Sequence, residues 1–428
     1  PSLRVHKMLS RLSVRAQSSA AAASAPNALV SSFDLRSSRL PSGLSVTSVD
    51  LGQPIAHLAI AFRAGSRYQS ATEAGFAHRL RNALGGDSKR AKGLTMLWQA
   101  GAIGANVSAT ADRENIVLSL SFPRSHANLG AALLSELAQP ALEPWELEES
   151  VETLKSDLAH AALWERVSQQ LHEAAFRNGP LAQSPYVSPF AAGNVSDFAR
   201  LQDYAASRLV ASEGAVVGVN VDHGELQSFF SEKALIQEGK GKQAAESKYY
   251  GAGEVRAEGA QGRVGVAIAG EAPSLVDGAG LAAAAVVAQA VQKALPAATT
   301  FYHPYADTGL LGFYVEDKAN ASTSAAIKSS VQSFKSLPDK LTEQSLAAAK
   351  AAAKVAVLGK AFKGAELAPA LASSVLAPGR ELLTPTDLAE RIDAVKLADA
   401  KEVARKATQR LSLGASGAVR HVPYLDEC

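Results

Sequence analysis

The chain has 428 residues, 47% of them hydrophobic, and a net charge of +2 from 43 basic and 41 acidic side chains. That length and apolar content supply more than one core, and the balanced charge gives no polyanion-binding signal, so no nucleic-acid partner is expected. The single cysteine, Cys428, excludes an intramolecular disulfide and a cysteine-held cluster, and no apolar run reaches the roughly 20 residues of a membrane-spanning helix.

Residues 1–32 differ from the rest. Arg4, Lys7, Arg11 and Arg15 occur with no acidic residue before Asp34, and Leu3, Val5, Met8, Leu9, Leu12 and Val14 share one side of a helix. An amphipathic, Arg- and Ser-rich, acid-poor segment reads as a mitochondrial presequence, removed somewhere between Gln17 and Ser32.

A first domain is expected over 33–236. Leu44–Val49 and Ala56–Arg63 read as strands, with Pro41 and Gly43 in the turn before them. Helices follow near Thr72–Leu84 and Ala91–Gln99. Ala105–Phe122 reads as a hairpin with Asp112-Arg113-Glu114 at its turn, and Asn115–Phe122 alternates as a half-buried strand does. Helices are expected at Ala127–Leu137, at Pro144–Arg177 in more than one piece, and at Ser196–Arg208; Ala215–Val221 is an apolar strand. Gln237–Gly253, rich in Gly, Lys and Gln, reads as a linker.

The segment 254–428 repeats the order. Arg263–Ala269 is a buried strand, Asp277–Ala294 a helix, and Thr300–Val315 a hairpin turning at Ala306–Gly309. Helices at Ser322–Ser336, Thr342–Phe362 and Asp399–Arg410 and a strand near Leu411–Ala418 follow. Two copies of one unit account for the length. The fold class is therefore α+β, with two homologous domains, each a mixed or antiparallel sheet covered by helices on one side.

The chemistry-bearing stretch runs from Ala56 to Gly85. Two His at i and i+4 of a helix grip one zinc ion, and a Glu beside the second activates its water; that is the logic of H-x-x-E-H. Here the five positions are His78, Arg79, Leu80, Arg81 and Asn82. A guanidinium accepts no proton. Taken alone, a lone histidine at this spacing reads as a packing or surface residue.

R-A-G-S-R (Arg63–Arg67), followed eight residues later by Gly75-x-x-His78, resembles the pitrilysin/insulinase-type family. That family includes the mitochondrial processing peptidases and the core subunits of ubiquinol–cytochrome c reductase, respiratory complex III. Leu171–Tyr186, Tyr305–Tyr314 and the tail Ser416–Cys428 are similar to core subunits, and the resemblance covers about Phe33 to Cys428. It implies a two-domain clam in which His78, Arg81 and Asn82 are the remnant of a zinc site, with no catalytic residue, metal or other cofactor retained. The family pattern places a third zinc ligand near Leu158, where Leu154-Lys155-Ser156-Asp157 puts Ser156 at or near the Glu position and leaves Asp157 as a doubtful substitute.

The resemblance also implies a non-catalytic assembly subunit of the mitochondrial inner membrane, peripheral on its matrix side. Its partners would be a homologous first core subunit and the other subunits of the complex: the membrane cytochromes and the iron–sulfur protein, whose presequence would occupy the cavity. The rival reading is the non-catalytic, substrate-binding half of a processing peptidase. The glycine-rich loop that marks that subunit is reduced here, at Gly270–Gly280, to Gly270, Gly278 and Gly280. The tail Arg420–Leu425 reads as an extended docking strap. Other motifs are lacking: no P-loop, no H-x₃-H pair among the remaining histidines, and no strand–turn–helix at Gly414–Gly417. Asp222-His223 reads as part of a strand or turn. Tyr302 and Tyr305 read as ordinary hairpin packing.

Overall fold

Strand alternation sets the architecture. The computed structural model describes residues 33–192, 198–232, 235–241, 245–259, 262–318, 320–377, 379 and 382–428; the basic leader lies outside them. The first sheet uses β1 (Leu35–Arg39), β2 (Ser45–Val49), β3 (Ile55–Phe62), β4 (Asn106–Ala111), β5 (Ile116–Pro123) and β6 (Gly214–Val219), in the order β1-β2-β6-β3-β5-β4. The second uses β7 (Glu254–Glu258), β8 (Arg263–Ala272), β9 (Thr299–Pro304), β10 (Gly309–Lys318) and β11 (Ser412–Gly417), in the order β7-β11-β8-β10-β9. Apart from β1 the two orders are the same. In each sheet one pair is parallel, β2 with β6 and β7 with β11, and the other pairs are antiparallel. The expected repeat is thus a repeat of topology.

The helices of the first half are α1 (Phe76–Ala83), α2 (Gly93–Ala102), α3 (Ala127–Leu137), α4 (Pro144–His160), α5 (Leu163–Phe176), α6 (Phe198–Arg208) and α7 (His223–Glu232). Those of the second are α8 (Gly278–Ala294), α9 (Ala321–Lys335), α10 (Glu343–Ala361), α11 (Gly364–Leu376), α12 (Pro385–Ala394) and α13 (Leu397–Gln409), with one further turn at Leu337–Lys340. Ala56, Leu58, Ile60 and Phe62 of β3 enter the first core with Leu80 and Leu134; Val264, Val266 and Ile268 of β8 enter the second with Val287 and Ala404.

The opposite faces of both sheets are also covered, each by a helix from the other half. Helix α5 packs on β11, β8 and β7, and α11 packs on β3, β6 and β5. The residues facing these donated helices are small. Ala267 and Ala269 meet Val167, Leu171 and Phe176, and a Cβ at Gly414 would collide with the backbone of α5 at Leu171. On the first sheet Gly364 of α11 sits against the His57 ring. Short side chains let the helix backbone approach the sheet.

Several elements differ from the sequence reading. The helix expected from Thr72 begins at Phe76, because Gly75 takes φ +89° and leaves only a 3-10 turn before it. Asp222-His223 lies in neither strand nor turn: Asp222 accepts from the Glu225 N–H at 2.9 Å as a helix cap, and the His223 ring bridges Ser38 and Ser48 at 3.1 and 3.0 Å. The tail folds back on its own half. Val422 is buried, Arg256 donates to the carbonyls of Val422 and Pro423 at 2.9 and 2.8 Å, and its guanidinium lies 4.1 Å over the Tyr424 ring.

The motif Arg63–Arg67 is built into the seam between the halves. The N–H of Gly65 donates to the Glu114 carbonyl and that of Arg67 to the Arg113 carbonyl, and a Cβ at Gly65 would overlap the Arg113–Glu114 backbone. The Arg67 side chain, 5% exposed, pairs with Glu114 of the first hairpin and, at 2.8 Å, with Asp307 of the second. Glu114 also accepts from the Ala306 N–H at 2.9 Å and Asp307 from the Ser247 N–H at 2.6 Å. Tyr305, taken as hairpin packing, hydrogen-bonds across the seam to the buried His172 at 2.6 Å.

Candidate functional site

Helix α1 puts residues 78, 81 and 82 on one face, and α4 packs against it. Three donors from α1 converge on one oxygen, Oδ2 of Asp157. His78 Nε2 lies at 3.1 Å, Asn82 Nδ2 at 3.1 Å, and the Arg81 guanidinium forms an ion pair with the same atom. Arg81 Nε also donates to Asn82 Oδ1 at 2.9 Å. The Val187 N–H donates to His78 Nδ1 at 3.3 Å, which assigns the ring proton to Nε2. Tyr186 packs edge-on against the ring, 5.1 Å between centroids.

The electrostatics follow from burial and charge. His78 is 1% exposed. Burial, aided by Arg81 and Arg79, holds its pKa below the ordinary value of 6.5 against the opposing pull of Asp157. Burial pushes the Asp157 carboxyl up, but the hydrogen bonds from Asn82 and His78 and the charge of Arg81 outweigh it, and the net shift is downward.

The sequence left Asp157 doubtful and set Ser156 nearer the ligand position. The structure reverses them. Ser156 turns outward to the His160 ring at 3.4 Å, and Asp157 faces α1. One residue on a helix is a rotation of about 100°, more than counting along the chain resolves.

A zinc centre needs about three protein ligands with free lone pairs. His78 presents N–H to the site, position 82 is an amide, Asp157 Oδ2 is saturated by three donors, and a cation stands beside it. The residues do not fit a zinc ion. Among the described residues no group of three His, Cys, Asp or Glu side chains is placed to hold any metal ion.

The arrangement acts as a latch between α1 and α4. Asp157→Asn is expected to cost about 1–2 kcal/mol, the roughly 1.5–3 kcal/mol of a hydrogen bond to a charged group reduced by solvent screening at a carboxylate that is 30% exposed. The folded pKa of Asp157 is depressed, so its contribution is present above the ordinary value of 3.8 and lost as pH falls through the lowered one. Urea midpoints of wild type and variant should differ at neutral pH and converge in acid; a constant gap down to strong acid would refute the latch.

Residues 45–187 match the family model described as insulinase (peptidase family M16). The chain is 27% identical to cytochrome b-c1 complex subunit 2, mitochondrial, of Mus musculus over 92% of each chain. It is 28% identical to the subunit of that name from Yarrowia lipolytica, over 90% of this chain and 94% of the relative. The chain is a homologue of cytochrome b-c1 complex subunit 2. A lower similarity, 23% over 88% of this chain and 90% of the relative, connects it to mitochondrial-processing peptidase subunit alpha-2 of Dictyostelium discoideum. The α+β architecture with two sheets of matching order is the one the insulinase-type resemblance implied.

Proposed function

We propose that the chain is a non-catalytic structural subunit of a mitochondrial cytochrome b-c1 complex, respiratory complex III, and a degenerate relative of zinc peptidases. The observation that carries this reading is the Arg81–Asp157 ion pair, which puts a guanidinium where zinc hydrolysis needs a general base and spends the remaining carboxylate on it. The subunit identity is supported by relatives matched along nearly their whole length.

In this reading 33–236 and 254–428 are two peptidase-like domains. The chain pairs with a homologous first core subunit and supports the membrane cytochromes and the iron–sulfur protein from the matrix side of the inner membrane. Among the described residues no helix is long and apolar enough to cross a membrane, in keeping with peripheral attachment. The processing-peptidase alternative is weaker. β8 ends at Ala272 and α8 starts at Gly278, and the link between them is pinned by Asp277 capping the Gly280 N–H at 2.8 Å, which leaves no long glycine-rich loop.

The test is a haem-stained native gel of mitochondria carrying a tagged chain, with metal content measured on the purified protein. The tag should migrate with the haem band, and zinc should be far below one per chain. Co-migration with a peptidase activity and no haem would favour the alternative. One tightly held zinc, lost on His78→Ala, would overturn the degenerate site.

A further inference from the structure

Helices α3 and α7 lie side by side over the first core. Between them runs an open groove of about 720 Å³ whose lining includes Asn128, Leu129, Ala132, Glu225, Phe229 and Glu232. Its floor is apolar. Leu129 is 39% exposed, Ala132 is half-buried, and Phe229 lies edge-on against Phe230 at 5.5 Å.

The rim is acidic. Glu225 and Glu232 are both exposed, and among the described residues neither has an ion-pair partner. They stand in the first and last turns of α7, about 10 Å apart along its axis. Glu225 suits the positive end of the helix dipole. Glu232 stands at the negative end of the dipole. A basic side chain on a docked partner is favoured opposite the two exposed carboxylates.

We propose that this groove docks a cationic amphipathic helix of a protein partner. Apolar residues at i and i+3 or i+4 of that helix rest on Leu129, Ala132 and Phe229, and two basic residues seven positions apart face Glu225 and Glu232. Helix-in-groove binding of this kind uses apolar anchors for affinity and rim charges for register and rate. The two carboxylates disfavour an anionic lipid surface. The surface belongs to none of the site residues above, and the α1–α4 latch plays no part in it.

The test is a fluorescence-anisotropy titration of the full chain with a synthetic helical peptide, leucines on one face and two arginines seven positions apart. A twin peptide carries glutamates in place of the arginines. The arginine peptide should bind wild type, weaken with salt, and weaken about tenfold or more on Glu225→Lys/Glu232→Lys. The glutamate twin should bind the charge-reversed chain better than wild type. Leu129→Asp, which keeps both carboxylates, should also abolish binding, and thermal melts by circular dichroism verify that each variant is folded. Equal binding of the arginine peptide to wild type and charge-reversed chains would overturn the proposal. So would self-association of the chain that the same reversal disrupts, because the groove would then hold a second copy. The titration uses the isolated chain, so its result is independent of the native-gel outcome.

Discussion

Arg67→Ala should destabilise the chain by about 3–5 kcal/mol, the range for removing one partner of a buried ion pair. The guanidinium is 5% exposed and its carboxylate partners, Glu114 and Asp307, are 12% and 18% exposed. They come from hairpin turns nearly two hundred residues apart. Removing Arg67 leaves two carboxylates close together in a site water reaches poorly, each still held by a backbone N–H. Burial already pushes the Glu114 carboxyl above its ordinary range with Arg67 present; without the cation it rises further. An acid whose folded pKa lies above its unfolded value gains stability as pH falls. The deficit of Arg67→Ala should therefore shrink in mild acid. Urea unfolding across a pH series measures this, and a deficit below about 1 kcal/mol, or one that grows in acid, would sink the account. Adding Glu114→Gln and Asp307→Asn to Arg67→Ala should recover part of the loss, because neutral amides cost less to bury than unpaired charges.

The parts of the fold that were legible in the sequence share one physical property: their pattern is local. Ala127–Leu137 carries a clear helical period and is helical from end to end. The break within Pro144–Arg177 falls at Ala161-Ala162, between α4 and α5. Both hairpins turn where Asp112-Arg113-Glu114 and Ala306–Gly309 placed them. Elements that escaped notice have weak local signals. β1 reads Leu-Arg-Ser-Ser-Arg, an edge strand without a continuous buried face. α11 carries Pro369 inside it, which reads as a helix breaker. The exchange of α5 and α11 between the sheets is invisible to periodicity, since Ala59, Ala61, Ala267 and Ala269 look like ordinary strand residues. Their shared smallness on one face, opposite Leu58, Ile60, Val266 and Ile268, is the trace that was there to find. At the site, Arg81 and Asn82 were legible because they depart from a spaced motif. Asp157 was not, because its side of α4 depends on a rotation of a single residue.

The same exchange of helices yields the second large effect, at Gly414 of β11. A Cβ there would lie inside contact distance of the Leu171 N–H and the Val167 carbonyl of α5. These are backbone atoms of a helix whose own side chains Val167, Leu171, Ala175 and Phe176 are all buried in the seam. Neither rotamer change nor local collapse relieves such a collision; α5 must lift off the second sheet or β11 must leave its register between β7 and β8. Gly414→Val is therefore expected to cost about 3 kcal/mol or more, at or beyond the upper end of ordinary overpacking. Amide protons of α5 should lose protection first, since α5 is the element displaced. The control is Gly359→Ala in α10, where nothing lies within reach of the added carbon; there the helix gains about 1 kcal/mol from the better helix former. The sign difference between the two substitutions separates close helix–sheet contact from a general intolerance of glycine replacement. If Gly414→Val unfolds at the wild-type urea midpoint with α5 still protected, the donated helix is not packed on the second sheet as closely as its glycines require.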